Sequence, residues 1–348
     1  MRKFLSVIAL TAVIGTAWAS DLPNVRILAV GGTIAGTAAS STQASYKAGQ
    51  LGVETLIAAV PEIKNVADVK GEQFLNIGSG NLTDDNILAL AKRVNEVAAD
   101  ASTDAIVITH GTDTLEETAW FLNLTAKTTK PIVMVGAMRP ATAISADGPA
   151  NLLDAVRCAA DSQSVGKGVM IVMNNEIHNA RDVTKMDVTE VSAFQAPTAG
   201  AIGRIAAGKV VYFKSSTRPH TAQSEFDVSK IEKLPRVDII YSHLGDDGVL
   251  AQAAIKSGAK GIVNAGTGNG TVSKHLFPTL EKAVKDGIVV VRASRVPSGV
   301  VTTSKPDWDK AGFISSGSLN PQKSRILLQL ALTKTQDKKV IEKMFEKY

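Results

Sequence analysis

The chain is 348 residues long, 45% hydrophobic and 20% charged, with a formal net charge of +5. The charge is mild and scattered, with no lysine or arginine block, which argues against a nucleic-acid partner. A lone cysteine, Cys158, excludes an internal disulfide, and five dispersed histidines without H-x-x-x-H or Cys/His spacing give no zinc site.

Met1-Arg2-Lys3, an apolar run over residues 4–14 and Ala17-Trp18-Ala19 have the order of a signal peptide: basic start, apolar segment, small-residue cleavage site. Cleavage is expected after Ala19. It removes Arg2 and Lys3 and no acids, which leaves a net charge of +3. The apolar run is too short to span a bilayer and no later run is long enough, so the expected product is exported without a membrane anchor.

Residues 24–30 read as a buried strand that runs into Gly31-Gly32-Thr33-Ile34-Ala35-Gly36. A dinucleotide-binding turn would carry glycine at 31, 33 and 36, the middle one letting backbone approach a pyrophosphate. Thr33 fills that middle position, which points to hydroxyl chemistry. The two preceding glycines permit a sharp turn and close approach of a substrate. Residues 37–49, rich in Ser, Ala, Thr and Gly, contain Tyr46; they suit a lid that carries a phenol over a site, or an ordinary surface loop. Asp84–Ala99 is expected as an amphipathic helix, with Ile87, Leu90, Ala91, Val94, Val97 and Ala98 on its apolar face.

A second strand over 104–109 ends in His110-Gly111-Thr112-Asp113-Thr114, and Thr114-Leu115-Glu116-Glu117 has capping-box spacing for a helix through Leu124. Thr112 and Asp113 therefore fall between a strand's C-terminal end and a helix start, where open α/β sheets bind ligands. Plain helix capping is the alternative use of either residue. Cys158 lies in an apolar helical pattern and reads as a small buried hydrophobe.

Apolar runs over 131–136, 169–173, 237–241, 261–265 and 288–292 lack strict polar alternation, as strands buried on both faces of a parallel sheet do. Arg181-Asp182-Val183-Thr184-Lys185 follows the second of these. Held near threonines and a carboxylate, Lys185 can act as a base or electrostatic stabiliser; otherwise it is a solvated loop lysine. Residues 213–235 are charged and poorly periodic and read as an interdomain linker. It separates an N-terminal α/β domain over 20–212 from a C-terminal α/β domain over 236–348. The latter has helices over 249–257 and 276–286 and two final ones, marked by Ile326, Leu327, Leu330 and Ala331, then by Val340, Ile341, Met344 and Phe345. The expected fold class is α/β: a larger flavodoxin-like, doubly wound parallel-sheet domain and a smaller C-terminal α/β domain. Two threonines, a lysine and a carboxylate suit acyl transfer at a carbonyl.

In these motifs, their order and their spacing, the chain resembles the bacterial type II, periplasmic L-asparaginases over essentially all its mature length. The matching segments include Gly31-Gly32-Thr33-Ile34-Ala35-Gly36, His110-Gly111-Thr112-Asp113-Thr114, Gly136-Ala137-Met138-Arg139-Pro140, Ser145-Ala146-Asp147-Gly148-Pro149, Arg181-Asp182-Val183-Thr184-Lys185, Gly268-Asn269-Gly270 and Leu319-Asn320-Pro321-Gln322-Lys323. The resemblance implies hydrolysis of the side-chain amide of L-asparagine, and more weakly of L-glutamine, through a threonine acyl-enzyme. Thr33 is implied as nucleophile, Tyr46 as the lid residue that helps activate it, and Thr112 with Lys185 as a proton relay. Asp113 is implied to bind the substrate's α-ammonium, Ser79 its α-carboxylate, and Ala137 the amide through its backbone. Asn269 is implied to come from a neighbouring subunit, so that sites form between subunits of a homotetramer. No cofactor or metal is implied.

Two positions depart from the family pattern. Gly80 stands where a glutamine or glutamate is common, and Asp307 is at best a shorter counterpart of a glutamate in the loop that reaches the partner's site. Both would line the amino-acid end of the substrate, and weakened contacts there would cost glutamine more than asparagine. A methylene is worth roughly 1–3 kcal/mol in such a pocket. Two other classes compete: an exported solute-binding protein with no chemistry, and a nicotinamide oxidoreductase. Thr33, Thr112 and Lys185 are superfluous for the first, and a threonine at the middle glycine position disfavours the second.

Overall fold

Burial alternates along β1 (Asn24–Gly31): Leu28 and Val30 enter one apolar core, Ile27 and Ala29 another. A strand buried on both faces needs helices on both faces. The computed structural model describes residues 22–42, 45–302 and 305–348. The expected signal peptide and its cleavage site lie outside them.

Beside β1 run β2 (Asp68–Ile77), β3 (Ala105–Thr109), β4 (Ile132–Val135) and β5 (Val169–Met173), all parallel, in the order β2-β1-β3-β4-β5. This is the flavodoxin strand order that the sequence led us to expect. β6 (Glu176–Asn179) turns back antiparallel to β5. A small hairpin, β7 (Thr184–Lys185) and β8 (Phe194–Gln195), then leaves the sheet. β9 (Gly203–Ala206) and β10 (Lys209–Tyr212) return to extend it to eight strands. Helices α1 (Val53–Ala58), α2 (Asp84–Ala99), α3 (Leu115–Thr125) and α4 (Gly148–Ala160) form the outer layers. α1 and α4 cover the face of Ile27 and Ala29, and α2 and α3 the face of Leu28 and Val30.

The C-terminal sheet is parallel and four-stranded: β11 (Val237–Tyr241), β12 (Gly261–Gly266), β13 (Val289–Ser294) and β14 (Ile314–Ser315). α5 (Val249–Lys256), α6 (Phe277–Lys285) and α7 (Pro306–Lys310) pack on Ile240, Ile262 and Val290. α8 (Pro321–Leu332) and α9 (Lys338–Lys347) pack on the opposite face, against Val263, Val289 and Val291. That second face is continuous with the core beneath α2 and α3. Trp120 of α3 donates its indole N–H to the carbonyl of Lys323 in α8, 3.1 Å away. The two sheets are thus joined through α3 and α8.

Several features differ from expectation. β2 carries no continuous apolar run because it is the half-exposed edge of the sheet. β6, β9 and β10 are antiparallel additions of four residues each, too short to leave a recognisable run. The capping box expected at Thr114 does not form: its hydroxyl donates instead to the carbonyl of Ser79 at 3.0 Å. The box forms one helix earlier, between Thr83 and Asn86 of α2. On α2, Ile87 is only partly buried and Leu88 takes its place in the core. Residues 213–235 hold no strand or α-helix, yet Phe226, Val228 and Leu234 are buried. The Phe226 ring lies 5.3 Å from that of Tyr348, so the segment expected as the linker is anchored against the C-terminal helix, a detail the sequence did not mark. Cys158 is fully buried, and burial pushes its thiol up to about 11. No helix among the described residues is long and apolar enough to cross a membrane.

Candidate active site

The C-terminal ends of β2, β1 and β3 lie side by side, and each opens into a turn that carries a hydroxyl residue. After β1 the backbone passes through Gly31 and Gly32 at φ 109° and 86°, a region where a side chain is strained. Space forbids one as well: a Cβ on Gly31 would sit 2.5 Å from the Ile77 nitrogen. The chain then enters a single 3-10 turn, Thr33–Ala35, which presents Thr33 at 6% exposure. Thr33 Oγ1 is 2.6 Å from the Tyr46 hydroxyl.

Tyr46 comes from the 37–49 loop, of which Gln43 and Ala44 lie outside the described residues. The loop is fastened near both ends. Thr37 and Lys47 exchange backbone hydrogen bonds at 3.0 and 2.9 Å, and the Gly49 N–H reaches the Gly32 carbonyl at 3.0 Å. The tyrosine ring lies over Gly36, where a Cβ would approach it to 2.8 Å. Its 40% exposure fits a ring that forms the outer wall of a cleft.

Beyond β3, Thr112 is 5% exposed, while the Asp113 side chain is 71% exposed. Lys185 reaches both from β7: its ammonium donates to Thr112 Oγ1 at 2.9 Å and to Asp113 Oδ1 at 2.8 Å. Lys185 is therefore a held lysine, 18% exposed, rather than a solvated one. His110 lies fully buried next to this turn, and burial pushes its imidazole down to about 4, so it stays neutral at physiological pH.

Ser79 is 4% exposed, at the turn after β2, with its hydroxyl 2.6 Å from where a Cβ on Gly111 would lie. Gly136 packs on Thr112, a Cβ there meeting the threonine methyl at 3.0 Å, and Ala137 follows it, fully buried. At Gly80 an added Cβ would meet nothing within 4 Å, so the backbone faces open space there.

Asn269 and Asp307 make their contacts in the C-terminal half. Asn269 accepts the Thr302 N–H at 2.8 Å and donates to the Thr302 hydroxyl at 2.9 Å. It lines a cleft with Ser294, Val301 and Asn320. Asp307 lies on α7 in a separate cleft beside Lys305 and Trp308. Glu116 went unremarked in the sequence beyond its place in a motif. In the structure it is 5% exposed and bonded to the hairpin that carries Lys185.

The arrangement offers two threonine hydroxyls on neighbouring strand ends, each with its own proton partner, a phenol for Thr33 and an ammonium for Thr112. An exposed carboxylate and a buried serine flank them. No group of three or more metal-ligating side chains occurs among the described residues.

Residues 24–218 match the family model described as Asparaginase, N-terminal, and residues 236–345 the one described as Glutaminase/Asparaginase C-terminal domain. The chain is 54% identical over 331 residues to a probable periplasmic L-asparaginase of Haemophilus influenzae, covering 95% of this chain and 94% of that protein. It is 51% identical to L-asparaginase 2 of Escherichia coli, covering 94% of each. It is 47% identical to a glutaminase-asparaginase of Pseudomonas fluorescens, covering 94% of this chain and 91% of that one. Among solved structures, a probable cytoplasmic L-asparaginase of Campylobacter jejuni superposes with a TM-score of 0.91 at 48% identity, covering 94% of this chain and all of that one.

Proposed function

The chain belongs to the asparaginase family, and from that premise we propose that it hydrolyses the side-chain amide of L-asparagine to L-aspartate and ammonia, with L-glutamine a weaker substrate. The observation that carries this reading is the pairing of Thr33 with Tyr46 and of Thr112 with Lys185 on adjacent strand ends. A protein that only bound an amino acid would need neither hydroxyl relay.

Thr33 Oγ attacks the amide carbon while its proton passes toward the Tyr46 oxygen. The tetrahedral intermediate collapses, the C–N bond breaks, and ammonia leaves with a proton, giving an acyl-enzyme on Thr33. A water held at the Thr112 hydroxyl attacks the ester carbonyl, the proton it loses passes through that hydroxyl to Thr33 Oγ as the ester C–O bond breaks and L-aspartate leaves, and the Lys185 ammonium stabilises the negative charge that develops on the way. Asp113, exposed and negative, suits the substrate's α-ammonium, Ser79 its α-carboxylate, and Ala137 offers backbone to the amide. Gly80 leaves the amino-acid end open, and Asp307 and Asn269 enter, on this reading, only from a neighbouring copy in a homotetramer. The division into domains over 20–212 and 236–348, joined by 213–235, is part of the same proposal. Export to the periplasm through residues 1–19 is supported by their basic, apolar and small-residue order.

Ammonia release from asparagine and glutamine, measured in parallel with Thr33→Ala as the blank, tests the proposal. Asparagine should be turned over faster than glutamine, and the blank should be inactive. A protein that leaves asparagine untouched, or an active Thr33→Ala, would overturn it.

A further inference from the structure

We infer that Glu116 is a positioning residue for Lys185, and that through it the first turn of α8, in the C-terminal half, sets the reach of the active-site lysine. The inference rests on the proposed role of Lys185 and concerns what holds that lysine in place.

β7 contains only Thr184 and Lys185 and, among the described residues, pairs only with β8, itself a two-residue strand. Such a hairpin has too little ladder of its own to fix a side chain to a fraction of an ångström. Its position must come from tertiary bonds, and those to Thr184 and the Lys185 backbone meet at one buried carboxylate. Glu116 Oε1 accepts from the Thr184 hydroxyl at 2.8 Å, from the Lys185 backbone N–H at 3.4 Å and from Gln322 Nε2 at 3.2 Å. Its Oε2 accepts from Asn320 Nδ2 at 2.9 Å and lies 3.6 Å from the Lys323 ammonium.

Lys323 grips the same segment from the other side. It is 1% exposed, and its ammonium donates to the carbonyls of Arg181 and Val183. Burial pulls the Lys323 ammonium below its ordinary range, and Glu116 and Asp182 oppose that pull. Lys323 thus holds Arg181 and Val183 while Glu116 holds Thr184 and Lys185, and Asn320, Gln322 and Lys323 all belong to the start of α8.

The consequence is geometric. Glu116 stands in the first turn of α3, just after Thr112 and Asp113. One strand-to-helix turn therefore holds the lysine at both ends, the backbone by Glu116 and the ammonium by Thr112 and Asp113. A carboxylate suits the task because charge-assisted bonds are shorter and stronger than neutral ones and it can accept several at once. In a proton relay a displacement of about 1 Å costs on the order of 10²-fold in rate.

The test compares Glu116→Gln, Thr184→Val and the double variant with wild type, reading kcat and KM for asparagine and the unfolding temperature. Glu116→Gln keeps the shape but puts an amide N–H against donors from Asn320 and Lys323. Thr184→Val removes one bond and keeps the volume, so it decides the matter if Glu116→Gln does not fold. Each single variant should lower kcat by about tenfold or more, with KM changed less than about threefold. The double variant should be no worse than the weaker single by more than about twofold, because both act on one linkage. A kcat within twofold of wild type in Thr184→Val, a change confined to KM, or fully additive losses in kcat would each overturn the inference. Lys185→Met run alongside separates the two ideas. An inactive Lys185→Met beside fully active positioning variants removes only the role of Glu116. A fully active Lys185→Met removes the role of the lysine itself.

Discussion

Gly32 and Gly111 touch backbone to backbone: a Cβ on Gly32 would lie 2.2 Å from the Gly111 Cα and 2.3 Å from its nitrogen. The turns after β1 and β3 therefore meet with no side chain between them, and the residues that follow, Thr33 and Thr112, open on the same gap. Gly111 is hemmed in again on its other side by the Ser79 hydroxyl. Adjacent strands sit about 4.8 Å apart, and only glycine lets their loops keep that spacing past the ends of the sheet. This contact lies in the crevice between β1 and β3, where the strand order reverses direction and where open sheets of this class bind ligands.

Gly32→Ala is expected to be severely destabilising, by about 3 kcal/mol or more, since it adds strain at φ 86° to a clash with immobile backbone. Thermal unfolding should show a large drop in Tm or no folded protein. A variant that unfolds like wild type would mean the two turns are not in contact.

Tyr46→Phe keeps the ring that lies over Gly36 and removes only the hydroxyl 2.6 Å from Thr33. We expect kcat for asparagine to fall by roughly 10²-fold or more, the scale of lost acid–base help, with Tm unchanged. Steady-state kinetics at saturating asparagine measures it, and an undiminished kcat would show that the phenol takes no part in activating Thr33.

Thr112→Val and Lys185→Met break the second relay at either end of the 2.9 Å bond. Each should depress turnover by about 10²–10⁴-fold while asparagine still binds, as calorimetry can show. Because the relay is proposed to activate the deacylating water, intact-protein mass spectrometry of Thr112→Val with asparagine should reveal an acyl adduct on Thr33. An adduct on any other side chain would contradict the assigned nucleophile.

Glu117 links stability to pH. Burial, then the neighbouring Glu116 carboxylate, push its carboxyl up to about 7 from an ordinary value of 4.5, with Arg325 pulling the other way. The folded value is above the unfolded one, so folding favours the protonated form. Its contribution is complete below pH 4.5 and is lost as pH rises through about 7, because in that window the unfolded chain binds fewer protons than the folded one. Glu117→Gln should remove this slope and raise stability above pH 7 by on the order of 1–3 kcal/mol. Urea unfolding of both proteins between pH 4 and 8 compares the slopes, and parallel curves would show that Glu117 titrates normally.

Much of the fold was legible because a parallel strand covered on both faces leaves a continuous apolar run, as in residues 105–109 and 169–173. Edge strands leave no such trace. β2 alternates irregularly between exposed and half-buried residues and carries Lys70, Glu72 and Gln73. How the crossing over 213–235 is anchored was hidden for a related reason: its buried residues Phe226, Val228 and Leu234 follow no helical or strand period, so the sequence marks a connecting segment without showing where it is packed. The capping box at Thr114 failed because Ser79, distant in the chain, offered that hydroxyl a better partner.

By itself the sequence determined the chemistry on offer: hydroxyls at 33 and 112, a lysine at 185, glycines wherever the turns leave no room, and the buried strands that its apolar runs mark. Only the tertiary structure decided which of these groups meet. Thr112 and Lys185 are separated by 73 positions in the chain and bonded across 2.9 Å in space, and the buried carboxylate of Glu116 ties α8 to that lysine across a still longer separation. Local sequence carries propensity and period, which act over a few residues. Hydrogen bonds between distant segments depend on how whole helices and sheets pack, and that is settled by burial of the shared core.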